Sequence, residues 1–143
     1  MPLSGSRRQG ETVLVVEDAE GIRKLVCATL TQCGYNCLEA SDGAEALQMV
    51  ASGLEAIHLV LTDMVMPRMG GSELARHLNR ARPDIRILFM SGYTEDPLVR
   101  HMERAASVFL AKPFTASALT GKVREALDRP WGGLPEFEPP NAL

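Results

Sequence analysis

Five polar side chains fall at the ends of apolar runs in this sequence. Glu17 and Asp18 follow TVLVV (Thr12 to Val16), Asp63 follows HLVLT (His58 to Thr62), Ser91 follows IRILFM (Ile85 to Met90), and Lys112 follows SVFLA (Ser107 to Ala111). Three carboxylates gathered in one cup repel one another, and burial with like charge disfavours their ionisation. A hard divalent cation among them makes the grouping sensible. Mg²⁺ takes oxygen ligands, usually a few carboxylates with waters and a phosphate. Lys112 adds a positive charge for a phosphate oxygen, and the Ser91 hydroxyl adds a donor. One nucleophilic carboxylate, one metal, one lysine and one hydroxyl match the needs of phosphoryl transfer to an aspartate, which rests on positioning and charge neutralisation. Singly, each signal is ordinary. An acidic pair after a strand can cap the next helix, an Asp before Met66-Pro67 can shape a turn, and Lys112-Pro113 can lie in a solvated loop. At four strand ends in a fitting order, they carry the functional reading together.

The elements that must position them alternate along the chain. The four runs above, with YNCLEA (Tyr35 to Ala40), read as five strands. Three are nearly continuous in apolar character, as strands covered on both faces are, whereas YNCLEA is mixed, as an edge strand is. Between them lie helical stripes: Ile22, Leu25, Val26, Leu30 and Cys33; Leu47, Val50, Ala51 and Leu54; Leu74, Leu78 and Ala81; Leu98, Met102 and Ala105; Leu119, Val123, Ala126 and Leu127. Asp42-x-x-Glu45 reads as a capping box, Thr94 and Thr115 as N-caps, and Gly34 as the stop of the first helix. Such alternation implies βαβ units and a parallel sheet with helices on both faces. Ligands of these sheets sit outside the carboxyl ends of the strands.

Composition bounds the rest. The chain has 143 residues and a formal net charge of −3, one domain's length without the basic face of a free-standing nucleic-acid binder. No apolar run approaches a membrane span, and nothing near Met1 reads as a signal peptide. There is no room for a second folded module such as a helix-turn-helix or kinase domain. Cys27, Cys33 and Cys37, odd in number and without a nearby His, point to a reducing, cytoplasmic setting and to three small buried side chains rather than a metal site. His58, His77 and His101 read as surface or boundary residues. The expected organisation is a disordered leader at 1–11, one domain at 12–128, and a Pro/Gly-rich tail or linker stub at 129–143, in which Trp131, Leu134 and Phe137 can still pack locally.

The motifs VLVVED (Val13 to Asp18), LTDMVMPRMGG (Leu61 to Gly71), FMSGYT (Phe89 to Thr94) and FLAKPF (Phe109 to Phe114) resemble, in order and spacing, those of the receiver domain of two-component response regulators. The likeness covers about 12–128 and is similar to receivers attached to hybrid sensor histidine kinases. It implies a flavodoxin-like (βα)5 fold with a five-stranded parallel sheet of order 2-1-3-4-5. It also implies roles. Asp63 would accept the phosphoryl group from a histidine kinase or histidine phosphotransfer protein. Asp18 and Asp63 would bind Mg²⁺, with Glu17 acting through a metal-bound water and the backbone carbonyl of Val65 as a further ligand. Ser91 and Lys112 would contact the phosphoryl group. Ser91 and Phe109 would form the switch, and Pro113 would follow a cis peptide bond. Arg23 matches a common basic position but receives no role. The face of the fourth helix, fifth strand and fifth helix would meet an unknown output partner or a second copy. Val65 and Tyr93 would flank the water that removes the phosphoryl group, which implies slow loss.

Two rivals belong to other classes. A Mg²⁺-dependent phosphatase working through an aspartyl phosphate normally shows D-x-D, but position 65 is Val, and a cap domain is missing too. A plain flavodoxin-like binding module would need neither Lys112 nor three acids. The domain alone is expected not to be an enzyme beyond its own phosphorylation and slow dephosphorylation. A kinase activity would belong to a longer parent protein.

Overall fold

The computed structural model of the chain describes residues 10–92 and 109–133. The β-branched and apolar runs form β1 (Thr12–Val16), β2 (Asn36–Ala40), β3 (Leu59–Asp63), β4 (Arg86–Ser91) and β5 (Phe109–Ala111), all parallel in the order β2-β1-β3-β4-β5. That is the flavodoxin-like order expected from the resemblance. β1 and β3 are buried at every position, and β2 is the partly exposed edge. The helices are α1 (Glu20–Gln32), α2 (Gly43–Ser52), α3 (Gly71–Ala81) and α4 (Ala116–Asp128).

Strand alternation splits the apolar residues into two cores. Leu14, Val16, Val60, Ile87 and Phe89 face α2 and α3 through Ala46, Val50, Leu74 and Leu78. Val13, Val15, Leu61, Leu88 and Met90 face α1 and α4 through Val26, Leu30, Leu119 and Val123. The caps form as the side-chain chemistry dictates. Asp42 Oδ1 accepts from Glu45 N–H at 2.8 Å, Glu45 Oε1 accepts from Ser41 N–H at 2.8 Å, and Thr115 Oγ1 accepts from Ala118 N–H at 3.0 Å. Gly34, at φ 98°, follows the last turn of α1.

The structure corrects some expectations and adds contacts to others. β3 and β4 end in Asp63 and Ser91, as expected, one residue past the apolar runs, because these backbones still pair with Met90 and Ala111. The α1 stripe is rotated. Val26, Cys27 and Leu30 are buried, while Ile22 and Leu25 are 38% and 66% exposed, so the sheet covers only part of an over-wide apolar face. Leu54 lies beyond the C-cap Gly53 at 86% exposure, and Ala51 and Ala81 are exposed. Only Cys27 is fully buried; Cys33 and Cys37 are half-buried. Exposed His58 has a structural contact, its Nδ1 accepting from the N–H of Thr12 at 3.0 Å. The tail begins with a docked turn. Trp131 Nε1–H donates to the carbonyl of Pro83 at 3.0 Å, and its ring packs against the α2/α3-side core.

Thr94, Tyr93, the Leu98, Met102 and Ala105 stripe, His101, Ser107, Leu134, Phe137 and residues 1–9 lie outside the described residues. Among the described residues, no helix is long and apolar enough to cross a membrane.

Candidate functional site

Parallel register brings the strand ends together. Val16 pairs with Thr62, so the next residues, Glu17 and Asp63, emerge side by side. Carboxylate oxygens of Glu17, Asp18 and Asp63 all lie within 4.8 Å of one another, a separation that one cation can span. Glu17 and Asp63 are buried and Asp18 is exposed, so the cup opens at Asp18. Lys112, delivered by the end of β5, places Nζ 2.9 Å from Glu17 Oε1 and 3.4 Å from Asp63 Oδ1. The Lys112–Pro113 peptide is cis.

This burial sets the electrostatics. Desolvation, then the charge of Glu17, pushes the Asp63 carboxyl up from 3.8 to about 6, while Lys112 and the backbone N–H of Val65 pull the other way. Burial disfavours the Lys112 ammonium, but hydrogen bonding to Glu17 and the charges of Asp63 and Glu17 outweigh it, so its pKa lies above the usual lysine value. A cation entering at Asp18 would relieve the crowding, and the donor set of three carboxylates suits a hard one.

The remaining site candidates are placed as follows. Val65 presents its N–H to Asp63, and its residue surface is 66% exposed. Ser91 is buried, and its hydroxyl donates to the carbonyl of Gly92 at 3.3 Å. Phe109 is buried against Phe89, with ring centroids 5.2 Å apart.

Arg23 does more than its sequence position revealed. Its Nη1 donates to the Glu17 carbonyl at 2.8 Å and its Nε donates to Glu39 Oε1 at 2.9 Å. It thereby ties the loop carrying the acidic pair to β2. The available signal was a basic residue one turn into the helix that follows that pair.

Gly71 fixes the other side of the cup. Its N–H donates to the Met64 carbonyl at 2.8 Å, and an added Cβ would collide with the Asp63 carbonyl oxygen and lie 2.9 Å from Met64 Cα. Backbone cannot yield as a flexible side chain does. Gly71→Ala is expected to lower stability by about 2 kcal/mol, the scale of overpacking. Urea unfolding checks this, and a midpoint unchanged from wild type would contradict it.

Comparisons with known proteins agree with this geometry. The sequence pattern of the response regulator receiver domain matches residues 13–124. The chain is 39% identical over 128 residues to the sensor kinase CckA of Brucella abortus, covering 89% of this chain but only 13% of that protein. It is 33% identical to the response regulator receiver protein CpdR of the same organism, covering 80% of this chain and 95% of CpdR. Its fold is similar to the crystal structure of the response regulator protein TrrA from Thermotoga maritima in complex with Mg(2+)-BeF, with a TM-score of 0.71 and 31% identity over 82% of this chain and 99% of that one.

Proposed function

The chain belongs to the response regulator receiver family of two-component systems, and from that premise we propose that Asp63 is its phosphoacceptor, loaded from a phospho-histidine donor. The observation that carries this is the Lys112 ammonium held between the buried carboxylates of Glu17 and Asp63. Mg²⁺ is the proposed cation, held by Asp18, Asp63 and the Val65 carbonyl, with Glu17 reached through a water; when bound, it neutralises charge on the transferring group. Asp63 supplies the attacking oxygen, the donor's N–P bond breaks, and the imidazole leaves. Lys112 moves from its two carboxylates toward a phosphoryl oxygen. Ser91 turns its hydroxyl from Gly92 to the same group, and Phe109 follows into the space released. The face that includes β5 and α4 then changes its affinity for an output partner or a second copy, as a shift between pre-existing states. The donor is a histidine kinase or histidine phosphotransfer protein, the setting is cytoplasmic, and residues 12–128 are the switching unit. Nucleic acid and membrane are not its direct partners. Kinase activity belongs to any longer parent protein, not to this unit.

Val65 disfavours the phosphatase reading, since it stands where a second acid would act. Acetyl phosphate with Mg²⁺ should add a single phosphoryl group by intact mass. Chelation of the metal should abolish the addition, and Asp63→Asn should remove it. Full labelling of that variant would sink the assignment.

A further inference from the structure

We propose that Arg23 is a positioning residue for the cation site, clamping the peptide unit that aims Asp18 into the cup. The inference rests on the Mg²⁺ reading given above and adds a residue that acts on the cation only through Asp18. Glu17 and Asp18 lie between the end of β1 and the start of α1. Their carboxylates repel each other and that of Asp63, so a loose loop would splay them apart. Glu17 is tied by its own groups. Its N–H donates to the Ala40 carbonyl at 3.1 Å, its Oε2 accepts from the Ala19 N–H at 3.1 Å, and its Oε1 accepts from Lys112 at 2.9 Å. Asp18 is the exposed member of the three. Its Cα shares one planar peptide unit with the Glu17 carbonyl. A hydrogen bond to that carbonyl therefore sets the direction in which Asp18 leaves the strand.

Arg23 makes that bond and anchors it. Its Nη1 donates to the Glu17 carbonyl at 2.8 Å while its Nε donates to Glu39 Oε1 at 2.9 Å, and its side chain is only 13% exposed. The planar guanidinium serves both acceptors at once through separate N–H groups, a geometry that the single ammonium of lysine does not reproduce. Glu39 is itself fixed. It stands in register with Val15 of β1, and Lys24 Nζ donates to its Oε2 at 3.2 Å. The anchor is thus the sheet. Neighbouring residues of β2 hold Glu17 from both sides, Ala40 through the Glu17 N–H and Glu39 through Arg23.

Two effects of Arg23 on cation affinity have opposite signs. As a positive charge it repels a divalent cation, so its removal by itself would tighten binding. As a clamp it keeps Asp18 ordered before the cation arrives, so its removal weakens binding. Groups that orient metal ligands from outside typically change affinity by about 10- to 100-fold. The charge effect offsets part of this, which leaves a net loss of roughly tenfold when the guanidinium is removed. A residue that merely stabilised the fold would lower the unfolding midpoint and leave the affinity of the folded chain unchanged.

The test is a calorimetric titration of the full metal-free chain with magnesium chloride, with urea unfolding beside it to show that each variant is folded. Arg23→Met keeps the apolar stem and removes every donor. It should bind Mg²⁺ roughly tenfold more weakly than wild type. Arg23→Lys keeps the charge but loses the fork, and it should also bind more weakly than wild type. Unchanged or tighter binding by Arg23→Met, or wild-type affinity in Arg23→Lys, would overturn the proposal. If Arg23→Met does not fold, Arg23→Lys decides alone. Asp63→Asn in the same titration separates this inference from the site reading beneath it. Binding lost in Asp63→Asn but unchanged in both Arg23 variants would sink the role of Arg23 only. A wild type that does not bind Mg²⁺ would sink the site reading and this inference with it.

Discussion

Asp63→Asn is expected to stabilise the metal-free protein at neutral pH. A carboxyl whose pKa rises on folding binds a proton more readily in the folded state. Between its unfolded and folded values, stability therefore falls as pH rises. For Asp63 that window runs from 3.8 to about 6, and above it the whole penalty stands. At 1.36 kcal/mol per pKa unit, the buried charge costs about 3 kcal/mol. Asparagine removes the charge but also takes one partner from Lys112, so the net gain should be about 1 to 2 kcal/mol. Urea melts in chelator at about pH 7.5 and about pH 4 would check this, with the gain vanishing at the lower value. Excess Mg²⁺ should reverse the order by stabilising wild type more than the variant. A variant less stable than wild type in chelator at neutral pH would contradict the electrostatic account.

Lys112→Ala should act in the opposite direction. Without the ammonium, Glu17 and Asp63 face each other with no counter-charge inside the cup. Removing one partner of a buried ion pair leaves uncompensated charge, and for this partly buried lysine the expected loss is about 3 kcal/mol at neutral pH. The loss should shrink as pH falls below about 6, where Asp63 takes up a proton. Mg²⁺ should restore most of it, since a divalent cation supplies the missing positive charge and the like-charge repulsion from Lys112 is gone. Thermal melts with and without Mg²⁺ provide the measurement. Equal stability of variant and wild type in chelator would show that the lysine contributes nothing to the resting site.

The sequence by itself determined the alternation of strands and helices, the polar residue closing each run, and the caps at Asp42, Thr115 and Gly34. These are local matters, governed by side-chain periodicity and by hydrogen bonds a few residues away. The strand order came from the resemblance and agrees with the pairing found. Tertiary structure decided what depends on contacts distant in sequence. Which arc of α1 is buried follows from how the helix settles on β1 and β2, so Ile22 and Leu25 stay outside although they share the apolar stripe. Whether Lys112 meets Glu17, 95 residues away, depends on the register of four strands at once. Arg23 takes its role from two acceptors, the Glu17 carbonyl and Glu39, that only folding brings together. The docking of Trp131 on Pro83 likewise joins elements whose spacing in sequence says nothing of their distance. Local pattern specifies each element, whereas the burial that shifts the Asp63 carboxyl exists only once the sheet is assembled.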